Sequence, residues 1–332
     1  MPTNKQWILA SRPSGSVSAD DFRLLDAPMP VPKDGEALVK NQWLSLDPYM
    51  RGRMSDAKSY VKGLEIGDVI VGQTVGEVLE SRHPRFQPGD TALTPLGWQL
   101  YGCARGEDLT PVDGSRAPAS YYLGMLGMPG ITAYFGLNEI GLPKPGETVV
   151  VSAASGAVGS VVGQLAKIAG CRAVGIAGGP AKCEYVLNQL GFDACVDHKH
   201  GEFSSALTRA CPHGVDVYFD NVGGPVLDTV LPLMNVASRL VVCGVIADYD
   251  AAQPHGVKHW RSILVNRIRV QGIIVLDWRA RYGEALTALV GYYAQGRLKT
   301  RESVVEGLER APEGLIALLK GQNFGKQLVK LA

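Results

Sequence analysis

The stretch VVVSAASGAVGSVVGQLAK, residues 149–167, constrains the fold more than any other. An apolar run breaks into small residues, and glycines at 156, 159 and 163 then open a segment with helical spacing. This is the pattern of a buried strand, a tight turn and a helix. In the dinucleotide fingerprint GxGxxG, the glycines serve the tight turn, close approach to a pyrophosphate, and packing of helix on strand. Here those positions hold Ala154, Gly156 and Gly159, so the first glycine is replaced. Taken alone, the stretch fits a plain strand-to-helix turn as well as a phosphate cradle. Its context favours the cradle, because it opens a helix whose free N–H groups and positive dipole end attract phosphate.

That context is an alternation of strands and helices. Apolar strand candidates at 148–153, 173–177, 194–197, 215–221, 240–245 and 270–276 are interleaved with the helical patterns GSVVGQLAKIAG, KCEYVLNQLG and PVLDTVLPLMN. Such a rhythm predicts an α/β, doubly wound parallel sheet. Up to about residue 109 the pattern differs: short strand-like runs such as EALVKNQWLSLDP and FQPGDTALTP are cut by Gly and Pro, which predicts a small, mostly β, barrel-like domain. EALTALVGYYAQGRL reads as a helix, and NFGKQLVKLA as a last strand returning to the first domain. A length of 332 residues suits two cores.

Composition narrows the function. A net charge of +1 with no long run of either sign gives no footprint for nucleic acid or an anionic membrane. No run reaches membrane-span length and the start carries no signal-peptide pattern, so a cytoplasmic protein is expected. The six cysteines are scattered without a CxxC pair, which predicts reduced thiols. Before residue 150 only His83 and Cys103 are soft ligands, and zinc needs three or four that converge, so no metal is expected.

The second strand of the alternating region indicates which dinucleotide would bind. An NAD site places Asp or Glu about 20 residues past the loop, on the ribose 2′-OH. In GIAGGPAKCEY no acid occurs before Glu184, and Gly178 and Gly179 leave room for a 2′-phosphate with Lys182 as a nearby cation. NADP is therefore expected over NAD. The plainer alternative for Lys182 is a solvated lysine in the first turn of a helix, where the dipole disfavours a cation.

With GMPGITAYFGL, YFDNVGG, CGVIADYD and LSLDPYMRGRM added to the loop, the sequence resembles the zinc-independent medium-chain dehydrogenase/reductases. Within them it is similar to the prostaglandin/leukotriene reductases, plant alkenal double-bond reductases and bacterial curcumin reductases, from about residue 5 onward. The resemblance implies a GroES-like, mostly β catalytic domain over 1–123 and 294–332 and a Rossmann NADP-binding domain over 124–293. It also implies a homodimer joined edge to edge through the cofactor sheets. The implied activity is NADPH-dependent reduction of a carbon–carbon double bond conjugated to a carbonyl, as in an enone or enal. By the resemblance, Gly156, Ala157, Val158 and Gly159 cradle the pyrophosphate, Lys182 meets the 2′-phosphate and Asn221 lies near the ribose. Cys243, Gly244, Val245, Ile246 and Tyr249 line the cofactor, Ile273, Ile274 and Val275 offer backbone to the carboxamide, and Asn323 closes over the nicotinamide end. Two positions depart from the mammalian members, which carry tyrosines where this chain has His198, beside the 2′-phosphate, and Val265.

Hydride delivered to the β-carbon of an enone drives negative charge onto the carbonyl oxygen, and the enolate is then protonated at the α-carbon. The step needs a hydrogen-bond donor aimed at that oxygen. A tyrosine, with an unperturbed pKa of about 10, remains a neutral donor at pH 7. Tyr249, after a cofactor-domain strand, is the first candidate. Tyr49 and Tyr60, in the first domain, are the others, with amphipathic packing an equal reading for Tyr60. A quinone or carbonyl reductase, or a non-catalytic NADPH-binding protein, remains open on the same fold.

Overall fold

Glycine and proline cut the N-terminal third into strands too short for anything but antiparallel pairing. The structure, a computed structural model, describes residues 3–251 and 253–331. β1 (Thr3–Leu9) pairs with β2 (Phe22–Pro28), and β3 (Glu36–Ser45) is central to a larger sheet with β4 (Thr74–Ser81), β5 (Thr91–Thr94), β6 (Tyr101–Arg105) and β7 (Thr110–Pro111). α1 (Tyr49–Arg53) follows β3. Leu44, Met50 and Trp98 are fully buried, and the Phe22 ring stacks on Trp98 at 5.4 Å.

After α2 (Met128–Phe135) the alternation takes over. In order come β8 (Thr148–Ser152), α3 (Gly159–Ile168), β9 (Arg172–Ala177), α4 (Pro180–Asn188), β10 (Ala194–Asp197) and α5 (Phe203–Ala210). They are followed by β11 (Val215–Asp220), α6 (Gly224–Val230), β12 (Met234–Val242), α7 (Trp260–Asn266), β13 (Arg269–Gly272) and α8 (Tyr282–Ala294). The six strands form one parallel sheet in the order β10-β9-β8-β11-β12-β13. Every residue of β8 is buried, as its unbroken apolar run requires. This is the doubly wound Rossmann order, with its switch point between β8 and β11. The chain ends with β14 (Glu302–Glu306), α9 (Ala311–Leu319) and β15 (Lys326–Lys330), and β15 pairs antiparallel with β3.

The chain divides into two compact units. The first holds Met1–Gly124, Glu302–Asn323 and Gln327–Ala332, and the second Met125–Arg301 and Phe324–Lys326. The return to the first unit falls after Arg301 rather than at residue 294. The reason is Gln164 of α3, whose Nε2 donates to Lys299 O at 2.9 Å and whose Oε1 accepts from Lys299 N at 2.8 Å, fixing this stretch to the second unit.

Two strands differ from expectation. β12 begins at Met234 and stops at Val242, because the Cys243 and Gly244 N–H groups turn onto the Asp220 carbonyl at 2.8 and 3.2 Å. β13 stops at Gly272, and a 3₁₀ turn covers Val275–Arg281.

The three glycine roles are shifted along the chain. Ala153, at φ +49°, makes the tight turn in place of a first glycine. A Cβ on Gly159 would stand 2.4 Å from the Ala153 carbonyl oxygen, so α3 can start close to its strand only there. A Cβ on Gly163 would stand 1.3 Å from the buried Phe192 ring. Gly163→Ala should therefore lower the denaturation midpoint by an amount equivalent to about 1–3 kcal/mol, the cost of overpacking. Adding Phe192→Leu should recover part of that loss, whereas an unchanged midpoint for the single variant would show that the ring moves aside freely.

Candidate active site

At the switch point, one carboxylate joins the ends of two strands. Asp220 Oδ1 accepts from Ser152 Oγ at 3.0 Å, Tyr218 Oη at 2.8 Å, and the Val222 and Gly223 N–H groups at 2.9 and 3.0 Å. Its Oδ2 is buried without a partner. Burial raises the Asp220 pKa, and the hydrogen bonds oppose that rise. Asn221 is fixed beside it: its N–H donates to Ser152 Oγ and its Nδ2 to the Ser152 carbonyl, both at 2.8 Å. Asn221 thus sits where β8 ends and the glycine loop begins.

Gly156, Ala157 and Val158 lie half-buried between that point and α3, and Gly159 is the first residue of the helix. The first N–H groups of a helix have no intrahelical acceptor. The loop thereby presents a positive dipole end at the carboxyl edge of the sheet, with the Gly156 and Ser160 N–H groups themselves taken by the Ala153 and Gly156 carbonyls at 2.8 and 3.0 Å.

A cationic group lies at the end of β9. A Cβ on Gly178 would stand 3.0 Å from His198 Nε2 and 3.1 Å from Lys199 Cε, so both side chains cross the glycine. Burial lowers the Lys182 pKa, and the charge of Lys199 adds to the effect. Burial also lowers the His198 pKa; Asp197 pulls it upward, while Lys199 and Lys182 push it down. The loops carrying these groups are tied together by Asp197, whose Oδ1 accepts from Gly179 N and Lys199 N at 2.9 Å each. Lys199 is absent from the sequence-based set. It lies just past β10, whose carboxyl end comes beside that of β9 only once the two strands pair.

At the opposite side of the switch point, a Cβ on Gly244 would stand 3.2 Å from the Asn221 carbonyl oxygen and 3.8 Å from Tyr249 Oη. Gly244 therefore passes close to the Asn221 backbone, with the tyrosine hydroxyl at the far side of the same glycine. Val245 and Ile246 continue this rim, and Val245 packs where a side chain on Gly223 would lie. Tyr249 closes a 3₁₀ turn, Ile246–Asp248. Cys243 is pushed up to about 12 by burial and the charge of Asp220, so it is a thiol at neutral pH. Ile273 donates its N–H to the Val242 carbonyl at 3.0 Å and is buried, with Ile274 and Val275 partly exposed after it. The structure therefore collects the glycine loop, Asn221, residues 243–246, Tyr249 and Ile273–Val275 at the carboxyl edge of one sheet. Lys182, His198 and Lys199 lie at the strand ends β9 and β10.

The remaining candidates belong to the first unit. Tyr49 opens α1, packs against the core around Met50 and has its pKa raised well above the ordinary value by burial and Asp47, with Tyr60 adding to the rise. It therefore holds its proton at any physiological pH. Tyr60 is 55% exposed. Asn323 precedes Phe324, which belongs to the second unit and packs there against Tyr185 of α4, with the Arg301 guanidinium 4.0 Å from its ring centroid. Among the described residues no three His, Cys, Asp or Glu side chains are placed to hold a metal ion, and no helix is long and apolar enough to cross a membrane.

Comparison with known proteins matches this architecture to one family. Residues 5–112 fit the N-terminal domain of oxidoreductases and residues 157–291 the family described as zinc-binding dehydrogenase. The chain is 46% identical to the NADPH-dependent curcumin reductase of Escherichia coli, covering 99% of this chain and 97% of that one. It is 41% identical to the NADP(+)-dependent 2-alkenal reductase of Nicotiana tabacum, covering 99% and 98%. The crystal structure of CurA from Vibrio vulnificus in complex with NADPH superposes with a TM-score of 0.94 at 47% identity, covering 99% of both chains. The chain belongs to the medium-chain dehydrogenase/reductases, in the branch of the curcumin, alkenal and prostaglandin reductases.

Proposed function

We propose that this protein is an NADPH-dependent reductase of the carbon–carbon double bond in α,β-unsaturated ketones and aldehydes. The observation that carries the reading is His198 and Lys199 over Gly178, with Lys182 in the first turn of the helix that follows, at a strand end where an NAD enzyme keeps a carboxylate. These residues fit a 2′-phosphate, and the glycine loop and the start of α3 fit a pyrophosphate. NADPH bound there supplies the hydride for the β-carbon. Its relatives at 46% and 41% identity are the curcumin and 2-alkenal reductases, both NADP-dependent by name.

The chain's own part is to bind, orient and donate a proton. Tyr249 Oη, at the rim beyond β12, donates a hydrogen bond to the carbonyl oxygen as charge develops. Tyr49, protonated in its buried setting, is the second donor, and Tyr60 is the third candidate. Asn221, held by Ser152, positions the ribose. The mechanism needs no metal, since a neutral O–H does the work of a Lewis acid at that oxygen.

We further assign the protein to the cytoplasm, in keeping with its six free thiols. We also assign it to a homodimer joined at the β13 edges. All four β13 residues are exposed, and Trp260, Leu264 and Val265 of α7 are 67%, 79% and 52% exposed beside that edge. Light scattering should give twice the 35.5 kDa chain mass, and a monomer at micromolar concentration would remove the assignment.

The function is tested by following NADPH consumption with enals, enones, quinones and saturated aldehydes, and identifying the product. Enones and enals should yield saturated carbonyls, unaffected by prolonged chelation. Turnover of quinones alone, allylic alcohol as product, or loss of activity with a tightly bound zinc would overturn the reading.

Cofactor choice provides a second test. Losing one charge-assisted hydrogen bond costs roughly 1.5–3 kcal/mol, about tenfold to a hundredfold in affinity. Lys182→Ala and Lys199→Ala should each weaken NADPH by that order and leave NADH nearly unchanged. Because the His198 pKa is held below 6.5, the preference for NADPH should grow as the pH falls from neutrality toward that region, and His198→Gln should flatten the trend. Equal weakening of both cofactors would make the lysines structural.

The donor assignment is tested with Tyr249→Phe and Tyr49→Phe. A sole oxyanion donor is worth about 10²–10³ in turnover, and a shared one less. Each variant should lower kcat for an enone with NADPH affinity little changed, and the double variant should lose more than either. Parent rates in both single variants and the double variant would exclude the tyrosines and leave backbone, water or a ribose hydroxyl as donor.

A further inference from the structure

The segment that carries Tyr249 has little apolar packing to hold it. No described residue from 243 to 260 is buried, so its position depends on hydrogen bonds. At its start the Ala247 N–H donates to the Val222 carbonyl, in the loop before α6, at 3.0 Å. At its far end a single side chain of α6 takes over. Asp228 Oδ1 accepts from the Lys258 N–H at 2.9 Å and from the His259 N–H at 3.3 Å, and Asp228 Oδ2 lies 2.6 Å from His255 Nε2. The His255 N–H donates in turn to Asp248 Oδ1 at 3.0 Å, which closes the segment on itself beside Tyr249.

The pair at the centre of this arrangement is largely enclosed, with the Asp228 and His255 side chains 10% and 22% exposed. Burial by itself would raise the Asp228 pKa, but the hydrogen bonds from His255, Lys258 and His259 outweigh it and the pKa is lowered. The carboxyl is therefore ionised at neutral pH and can only accept, so His255 Nε2 carries a hydrogen and donates it. One carboxylate thus binds the middle and the end of the segment to α6, and His255 carries that hold back to Asp248, the residue before Tyr249.

We propose that Asp228 and His255 are positioning residues for the reduction: by fastening this segment to α6 they hold Tyr249 Oη at the rim beside Gly244, where it donates to the substrate carbonyl. Neither side chain touches the reacting atoms. Without the pair, Asp248 loses its partner and the segment is fixed mainly at Ala247, so the tyrosine hydroxyl is spread over many positions. A displacement of about 1 Å in a reacting group can cost on the order of 10²-fold in rate. The inference rests on the assignment of Tyr249 as a donor to the enolate oxygen.

The test compares the full chain with His255→Leu, His255→Gln, Tyr249→Phe and the double variant His255→Leu/Tyr249→Phe. Turnover of an enone, direct titration with NADPH and amide hydrogen exchange over residues 248–259 are measured for each. His255→Leu should lower kcat about tenfold, less than the 10²–10³ of a sole donor, with NADPH affinity unchanged and exchange over the segment quickened. His255→Gln keeps an N–H for Asp228 and should restore most of both readouts. In the Tyr249→Phe background, His255→Leu should cost nothing further, because a hydroxyl that is absent cannot be misplaced. An equal loss in both backgrounds, or unchanged exchange in His255→Leu, overturns the proposal. Parent turnover in His255→Leu while Tyr249→Phe is slow overturns the positioning role alone. Parent turnover in Tyr249→Phe overturns the donor assignment, and the positioning role with it.

Discussion

The carboxylate of Asp220 is the constraint on which the ligand-binding edge depends. Its Oδ1 gathers donors from the end of β8, from β11 itself and from the loop beyond, while its backbone carbonyl accepts the N–H groups that end β12. Three strand ends are thereby locked to one residue at the topological switch point. Removing it would strand several buried donors, each costing about 1–3 kcal/mol if left unpaired. The arrangement is not free of cost, since Oδ2 is buried without a partner and burial raises the pKa. An acid whose folded pKa is raised contributes less stability once the pH exceeds its unfolded value of about 3.9. The folded chain therefore holds this carboxyl more easily protonated than charged, and the hydrogen bonds on Oδ1 offset that cost.

From this anchor the glycine loop takes its shape. Ser152 is held by Asp220 and Asn221, and the chain must turn at once to start α3 over β8. Ala153 makes that turn in the left-handed region, a cost of order 1–2 kcal/mol for a residue with a side chain. Its neighbour Ala154 is fully buried, and its methyl group stands 2.9 Å from where a Cβ on Gly175 would lie. The space kept free at Gly175 is thus divided between the Ala154 methyl and the Cys195 sulfur. Small residues on the second strand compensate for the lost glycine on the first loop.

These compensations explain what was legible in the sequence. The unbroken apolar run of β8, the alternation after it and the Gly/Pro interruptions before it marked the doubly wound sheet and the mostly β unit, because burial on both faces leaves a compositional trace. The ends of β12 and β13 were misplaced by several residues, because Asp220, far away in sequence, decides where β12 turns. Lys199 leaves no trace in the sequence for a related reason. It is local to Lys182 only after β9 and β10 pair, and no spacing rule joins them. Ala153 carried no sequence signal, since a left-handed alanine looks like any other small residue.

The cationic group shows how selectivity is built from an unfavourable term. Burial disfavours the charged forms of Lys182 and His198, and repulsion among Lys182, Lys199 and a protonated His198 adds to it. Asp197 cannot relieve this repulsion fully, because one of its oxygens is committed to the Gly179 and Lys199 backbone. A ligand with a hydroxyl at this point would leave the repulsion in place, whereas a phosphate of nearly two negative charges removes it and gains charge-assisted hydrogen bonds. The discrimination between two cofactors that differ by one phosphate is therefore the sum of an attraction made and a repulsion cancelled. It resides in side chains whose elements, α4 and the segment after β10, are tied together at their starts by Asp197.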